Sequence, residues 1–252
     1  MQSNPADWSP AVAPAPGDAL MMGSGTMNIS GDGLAGDTLT IGPAATVDID
    51  THGATSLNIR TVEPGAQINI DVAQGSTLTL TAVFGSNSYS SVSGGTLSFI
   101  GTSEFGANST VFSDNLVGTG TLDLSGGNAS GETMEINGSV GNGLTFDISS
   151  PGPGDAGLQI DRPAEFHGDV VLRSGYVAFM GIQATRGELL NGVLEMFDGC
   201  KLVDAVRFAG EPNNIAGQGL QMQQNSKGVM LSIGLGEHEQ PGGIGTALPL
   251  QA

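Results

Sequence analysis

The sequence predicts an all-β protein and, within that class, a parallel β-helix (a solenoid) of short stacked strands. Three observations support this prediction: a polar–apolar–polar–apolar unit recurs along the chain, glycine-rich bends separate the units, and large side chains are scarce. The 252 residues include 41 Gly, a single Trp and only 5% aromatic residues. A core of that composition consists of thin layers of Leu, Ile, Val and Met, which is typical of stacked repeats.

The repeat is visible in the positions of the first apolar residue of each unit. These residues are Met27, Leu39, Val47, Leu57, Ile68, Leu78, Leu97, Leu122, Met134 and Phe146. Successive intervals are 12, 8, 10, 11, 10, 19, 25, 12 and 12 residues. The two long intervals are about twice the others, and VFS at 111–113 partly fills the second. A recurrence of this kind is a true internal repeat.

Each unit has the chemistry of a β-strand. Apolar and polar residues alternate with a period of two, which places the apolar pair on one face of the strand, and β-branched residues are abundant. The residue between the two apolar positions is polar in all ten units. We therefore expect one buried and one hydrated face throughout, with tight bends at segments such as GPAA, THGA and SGGNASGE.

Two architectures accommodate short strands at this spacing, a parallel β-helix and an antiparallel β-sandwich. Two-residue hairpin signals of the kind a sandwich uses occur at DG (32–33) and NG (137–138 and 142–143), but most junctions are longer. Because similar side chains recur at equivalent positions, stacking into ladders is favoured. The β-helix is the preferred prediction and the antiparallel sandwich is the alternative.

Composition divides the chain into five segments. We predict an extended N-terminal arm at 1–17, a β-helix repeat array at 18–150, a Pro/Gly linker or loop at 151–157, a continuing β array with a cap at 158–235, and a C-terminal tail at 236–252. The fourth segment is more apolar and contains strand-like stretches such as VVLRS, YVAFM and KLVDAVRF, although NGVLEMFDGC could also form a short helix. Its cap is needed to close the open end of the core.

The charge of the chain limits its partners. The formal net charge is −18, and up to residue 150 there are 14 acidic residues against one basic residue, Arg60. Such a surface repels nucleic-acid phosphates and suits a saline or calcium-containing exterior, so we expect no nucleic-acid partner. No stretch approaches 18 apolar residues, so no membrane span is expected. The segment 1–22 lacks the pattern of a signal peptide, which leaves the export route open.

Acidic residues on the hydrated face are the candidate metal ligands. They are Asp48, Asp50, Asp71, Asp123, Glu135 and Asp147. The last three occupy the same position in equally spaced units, so direct stacking of the units would align them in a row. Such a row could bind Ca²⁺ through oxygen ligands, or act as the acid/base pair of a glycan-cleaving β-helix. A solvated acidic face is the simpler interpretation, because no cluster of Arg, Lys or aromatic residues accompanies the acids to hold a sugar.

Other catalytic and cofactor motifs have structural explanations. GDGLAG at 31–36 matches GxGxxG, but it leads into a strand rather than a helix, so we interpret it as a bend. His52, His167 and His238 are scattered, and no GxSxG occurs, so nucleophilic catalysis has no support. The single thiol, Cys200, is expected to be buried packing. We predict no catalytic and no cofactor-binding residues.

With the array established, one stretch points to a family. VGTGTLDLSGGNASG at 117–131 resembles the passenger-associated repeats of bacterial autotransporters and related large surface adhesins, which run Gly-Thr-Leu-x-Leu-Ser-Gly. WSPAVAPAPGD at 8–18 is similar to the segment that often leads into such β-helices. The resemblance covers most of 8–150. It implies a right-handed parallel β-helix that acts as a rigid stalk or adhesive surface, usually without catalysis.

The expected function is therefore non-catalytic and extracellular. The chain is predicted to be a structural or adhesive β-helical protein of the bacterial cell surface, such as a self-assembling surface-layer, biofilm-matrix or fibre subunit. Its expected partners are further copies of itself, in a homo-oligomer or fibre, and a glycan or cell-surface ligand. The alternative is a polysaccharide-binding or -cleaving β-helix protein of the tail-spike or lyase type.

Overall fold

A computed structural model of the chain describes residues 15, 17–30, 37–51, 54–61, 67–72, 74–81, 89–91, 95–105, 110–113, 115–124, 133–148, 156–209, 220–233 and 246–251. Regular structure in these ranges is strand, apart from a single 3-10 turn at Pro163–Glu165. The strands are β1 Ala19–Ser30, β2 Thr38–Thr51, β3 Ala54–Thr61, β4 Gln67–Val72, β5 Thr77–Thr81, β6 Tyr89–Ser91, β7 Thr96–Ile100, β8 Thr102–Glu104, β9 Thr110–Phe112, β10 Asn115–Gly118, β11 Thr121–Asp123, β12 Thr133–Ile136, β13 Thr145–Ile148, β14 Gly157–Ile160, β15 Asp169–Leu172, β16 Gly175–Met180, β17 Arg186–Leu190, β18 Val193–Asp198, β19 Lys201–Phe208, β20 Gln221–Gln224, β21 Gly228–Ile233, β22 Thr246–Ala247 and β23 Leu250–Gln251.

Parallel pairing stacks these strands into three columns along the axis of a solenoid. Column 1 contains the second halves of β1 and β2, followed by β4, β6, β9, β12, β14 and β16. Column 2 contains the first halves of β1 and β2, followed by β3, β5, β7 and β10. Column 3 begins later in the chain and contains β8, β11, β13, β15 and β19. The parallel β-helix prediction is confirmed, and the antiparallel sandwich is wrong for this chain.

One coil of the solenoid takes up two of the sequence units. In column 1, Asp48 is paired with Asn69 and Asn69 with Ser90, so these two successive coils are equal in length. In column 3, Asp123 is paired with Asp147, which makes this later coil slightly longer. Units that follow one another at 8 to 12 residues therefore fall in different columns, whereas Leu78 and Leu97, 19 residues apart, are partners in column 2. The two long intervals of the repeat contain strands that lack the unit, β6 in the first and β8 to β10 in the second.

The core is formed by the apolar positions of the units, as their alternation predicts. Leu39, Val47, Leu97 and Leu122 are each inaccessible to solvent. One group of larger side chains interrupts these aliphatic layers. Its members, Phe99, Phe105 and Phe112, meet edge to face, with ring centroids 5.7 to 6.4 Å apart. They lie in the coil where column 3 begins, and all three are buried in the core.

Glycines line the corner between columns 2 and 3. Gly118, at the end of β10, has a φ of +118°, and a Cβ on it would lie 2.1 Å from the carbonyl oxygen of Phe99 in the preceding coil. A Cβ on Gly120 would lie 2.7 Å from the carbonyl oxygen of Gly101. Backbones of successive coils therefore approach at this corner more closely than any side chain allows.

Pairing changes from parallel to antiparallel at the C-terminal end of the columns. β21 pairs antiparallel with β16, and β20 pairs with β21. In column 3, β18 pairs antiparallel with β19, and β17 with β18. These strands close the C-terminal end of the solenoid. The segment NGVLEMFDGC contains β18, so a short helix there is excluded, since Leu194 and Met196 alternate with residues of the outer face and are completely buried.

The two chain ends are described in part. Asp37, 2% exposed, accepts hydrogen bonds from the backbone N–H of Gly17 (2.8 Å) and Asp18 (3.1 Å), which fixes the entry into β1. At the other end, β22 pairs with β20 and β23 pairs with β17. The rest of the predicted arm and tail, most of the 151–157 loop and the GDGLAG bend lie outside the described residues.

Candidate functional site

Column 1 presents outward polar residues in direct register from coil to coil. Asp48 is paired with Asn28 on one side and with Asn69 on the other, and Asp50 is paired with Asp71. Neighbouring parallel strands lie about 4.8 Å apart. The exposed carboxylates of Asp50 and Asp71 therefore project from adjacent coils, as the sequence predicts for directly stacked units. This arrangement concentrates negative charge at the N-terminal end of the column.

Column 3 carries a second acidic row. Asp123 is paired with Glu104 in the preceding coil and with Asp147 in the next one. Both Asp123 and Asp147 are partly exposed, so the predicted stacking of these two acids holds. Nη2 of Arg173 lies 3.7 Å from Oδ2 of Asp147, with the arginine side chain 67% exposed. The row can therefore contact an anionic or polar ligand through both signs of charge.

Glu135 does not belong to that row. It lies on β12 in column 1, where it is paired with Val111 and Gln159. The expectation that Glu135 aligns with Asp123 and Asp147 is wrong, because the successive units that contain these three acids alternate between columns 3 and 1. The amide nitrogen of Asn137, in the orientation that satisfies its neighbours, donates to Oε1 of Glu135 (3.0 Å) and Oδ2 of Asp161 (2.7 Å).

Two arginines that the sequence did not single out lie beside acids of column 3. Besides the contact of Arg173, Nη2 of Arg207 donates to Oδ2 of Asp169 at 2.8 Å, and its Nε bonds the other carboxylate oxygen. Asp169 and Arg207 are paired residues of β15 and β19. The sequence places Arg173 and Arg207 at the ends of apolar strands, which is the one signal that could have indicated a role for them. It does not indicate their acidic partners, because each partner is a full coil or more away along the chain.

The structure gives no direct support for a metal centre. Within the described ranges, no three His, Cys, Asp or Glu side chains lie close enough together to hold a metal ion. Ca²⁺ takes six to eight oxygen ligands, and each acidic row supplies pairs of carboxylates along a column. The calcium prediction for Asp48, Asp50, Asp71, Asp123, Glu135 and Asp147 stays a prediction.

A polar cleft of about 360 Å³ lies in the cap, between the loop at 181–185 and the turn at 225–228. The side chain of Gln224 fixes its wall: Nε2 donates to the carbonyl oxygens of Asn225 and Gly228 (both 2.9 Å), and Oε1 accepts from the N–H of Ala184 (2.8 Å). Asp198 and Lys227 line the cleft with one charge of each sign. Since Gln224 is used to hold the two loops together, its role is structural.

Two titratable side chains of the cap depart from simple expectations. Cys200 is exposed, so the expectation of buried packing is wrong; it lies in the turn between β18 and β19 rather than on an inward strand position. Burial raises the pKa of the Asp204 carboxyl above its ordinary value, and the N–H of Ala205 and the nearby His167 oppose that shift. Asp204 thus carries a desolvation penalty when ionised.

The fold and these surfaces define an acidic β-solenoid with regular polar outer rows and an antiparallel C-terminal cap. Among the described residues, no helix is long and apolar enough to cross a membrane. No protein-family model, curated protein or solved structure gives a significant match to this chain.

Proposed function

We propose that this chain is a non-catalytic structural or adhesive protein of the bacterial cell exterior. The observation that carries the proposal is the coil-to-coil register of the outward polar residues, in which Asp48 follows Asn28 and Asp71 follows Asp50. Such a row repeats one kind of surface along the axis, which suits an extended contact with a surface or a polymer. It also keeps a repetitive protein hydrated and soluble.

The direction of the backbone hydrogen bonds supports a mechanical role. In a solenoid the bonds between parallel strands run along the axis, so each coil is tied to the next at every column. From β11 to β15 the coils are joined in columns 3 and 1, for example at Asp123–Asp147 and Glu135–Gln159. Parallel bridges of Val140 to the preceding and the following coil continue column 2. A rod built in this way resists bending and can hold an attached group away from a cell surface.

The fold assigns a structural role to the residues within 117–131 that resemble passenger-associated repeats. The glycines of the motif, Gly118 and Gly120, lie at the corner where successive backbones approach most closely. The leucines that follow, Leu122 and Leu124, are buried, while Asp123 between them faces outward. The motif is thus one corner and one strand of a coil, which is the building block that stalk-forming passengers also use.

The proposal is tested by a retention and turnover assay. Beads coated with the purified protein are passed over immobilised neutral and acidic glycans, and the reducing ends released by soluble protein are measured in parallel. We expect retention on at least one of these surfaces, reduced in a variant with Asp48→Ser, Asp50→Ser and Asp71→Ser, with no release of reducing ends. Release of reducing ends, or retention that is absent from every surface, would overturn the proposal.

The alternative is a polysaccharide-binding or -cleaving protein, and the Asp123–Asp147 pair favours it. Carboxylates on adjacent parallel strands approach the roughly 5 Å separation of a retaining glycosidase, and Arg173 lies close enough to Asp147 to bind a sugar acid beside it. In the same turnover assay, Asp147→Asn should abolish release of reducing ends if this alternative holds. Asp50→Asn, in the other acidic row, is the matched control and should leave the release unchanged.

A further inference from the structure

Within the part of the chain that the structure describes, β1 is the N-terminal edge strand of the solenoid. Among the described residues it pairs with β2 alone. Its inward side chains cover the first layer of the core incompletely: Leu20 and Met27 are partly exposed, whereas their partners in the next coil, Leu39 and Val47, are inaccessible to solvent. Met21, on the outer face, is 76% exposed. This end therefore differs from the other, which antiparallel strands close.

The composition of β1 leaves this edge unprotected. The strand ALMMGSGTMNIS is 12 residues long and contains no charged residue and no proline, in a chain whose net charge is −18. Natural edge strands are usually short, charged, or interrupted by proline, because an open row of N–H and C=O groups otherwise pairs with another chain. A long uncharged edge on a strongly acidic protein is a place where two copies can approach each other.

The residues of β1 also follow a two-fold pattern. When the strand is paired antiparallel with itself about the bond between Ser24 and Gly25, residues whose numbers sum to 49 face each other. The core-facing residues then meet one another, Leu20 opposite Ile29 and Met22 opposite Met27, and the exposed Met21 meets the exposed Asn28. This register thus matches core-facing apolar residues to one another and outward-facing residues to one another.

The bend of β1 lies at the same point. Its first half follows column 2 and its second half follows column 1, with a shift of register between Met22 and Ser24 and a positive φ of +93° at Gly25. A two-fold axis that bisects this corner exchanges the two halves of the strand. It also keeps their core-facing sides turned inward, so that the interiors of the two solenoids become continuous.

We propose that β1 binds a second copy of this chain, antiparallel and across this two-fold axis, to form a head-to-head dimer. The inference deepens the structural role proposed above, since it assigns the self-association of that protein to one strand. A closed dimer is favoured over a head-to-tail filament because antiparallel strands close the opposite end of the columns, so the described residues of that end present no matching parallel edge.

Met21 allows the edge to be blocked without removing a bond to β2. The carbonyl oxygen of Asp18 accepts from the N–H of Thr38 in the next coil. Since successive residues of a strand direct their backbone polar groups to opposite sides, Leu20 also faces β2 while Met21 faces the open edge. Met21→Pro removes the N–H needed by a second copy, and Met21→Ala is the matched control that retains it.

Sedimentation velocity should show a dimer for the wild type and for Met21→Ala, and a monomer for Met21→Pro. The dissociation constant should rise at low salt, because two acidic chains repel each other. A monomeric wild type, as expected if another segment of the same chain covers the edge, or a Met21→Pro protein that remains dimeric, would refute the proposal. A wild-type monomer that still adheres to glycans would refute the dimer alone and leave the structural function standing.

Cysteine cross-linking tests the register and does not depend on the proline variant. In a Cys200→Ser background, which removes the exposed native thiol, mild oxidation of a Met21→Cys, Asn28→Cys chain should give a covalent dimer. Opposed residues of antiparallel strands have Cα atoms about 4.5 to 5.5 Å apart, within the range of a disulfide. Met21→Cys alone should give none, since its symmetry mate is far away along the strand. A covalent dimer from the single variant, or none from the double, would contradict the register.

Discussion

Gly118→Ala should be strongly destabilising, because Gly118 combines two features that exclude a side chain. Its φ of +118° is one that residues with a Cβ rarely adopt. A Cβ would also lie 2.1 Å from the carbonyl oxygen of Phe99, which accepts a hydrogen bond from the N–H of Thr119. The oxygen cannot retreat without opening the contact between two coils, so neither feature can relax independently of the other.

The expected cost can be built from these two contributions. Backbone strain at a φ reserved for glycine costs on the order of 1–3 kcal/mol, and forced overpacking costs about 1–3 kcal/mol more. We therefore expect Gly118→Ala to lower the free energy of unfolding by about 2–6 kcal/mol. In a protein of this size each kcal/mol corresponds to roughly 2–4 °C, so the midpoint of thermal unfolding should fall by about 10 °C.

Two other glycines separate the contributions. Gly75 has a φ of +84° but nothing within 4 Å of a Cβ, so Gly75→Ala measures strain alone. Gly23 has open space and no positive φ, so Gly23→Ala should be neutral or slightly stabilising. Thermal and urea unfolding followed by far-UV circular dichroism would rank the three variants. If Gly118→Ala lowers the free energy of unfolding no more than Gly75→Ala does, the close approach of successive coils at this corner does not contribute to the destabilisation, and the reasoning is refuted.

Three further predictions concern single polar side chains. Thr110→Val should stabilise the protein by about 1–2 kcal/mol in urea unfolding, because the hydroxyl of Thr110 is buried without a hydrogen-bond partner; a loss of stability would contradict this. Asp37→Ala should remove the acceptor for the N–H groups of Gly17 and Asp18, and it should accelerate hydrogen exchange of β1 amides but not of β13 amides. An equal acceleration in both strands would show that these hydrogen bonds do not stabilise β1 locally. Burial raises the pKa of Asp204, so the folded state binds a proton more readily than the unfolded state does. The free energy of unfolding of the wild type should therefore increase as the pH falls through that raised pKa. This increase should level off below the ordinary value of 3.8. Asp204→Asn should lack this gain and be at least as stable as the wild type at neutral pH, and an unchanged pH profile would exclude the assignment.

The fold could be predicted from the sequence because its main determinant is periodic. Alternation with a period of two decides which side chains turn inward, and Leu39, Val47 and Leu122 are buried as that alternation requires. The number of units in a coil could not be derived in the same way, since alternation is a property of one strand and does not determine which strands meet. For the same reason the sequence groups Glu135 with Asp123, although the two lie in different columns.

The sequence predicts a cap within 158–235 but neither the antiparallel pairing of its strands nor the charged contacts, for a different reason. The direction in which β17 to β21 pair depends on the turns that connect these strands, and the sequences of those turns do not reveal it. Arg173 reaches Asp147 from the next coil, across an intervening loop. Cys200 was expected to be buried from the general burial preference of cysteine, but a residue in a turn is subject to the geometry of that turn rather than to the preference of its side chain.

Coil length, rather than strand sequence, is what brings the acidic residues of this protein into rows. Asp123 faces Asp147 because the coil between them is twice as long as the spacing of the sequence units in that part of the chain. The pairing of Asp50 with Asp71 depends in the same way on a shorter coil, which again contains two units. The insertion or deletion of one residue within a strand would exchange its buried and exposed faces. The loops at the corners, in contrast, can vary in length as long as the strands return to register. The register of the polar rows and the packing of the core are therefore specified together, by the same strands, so a strand that slips by one residue disrupts both.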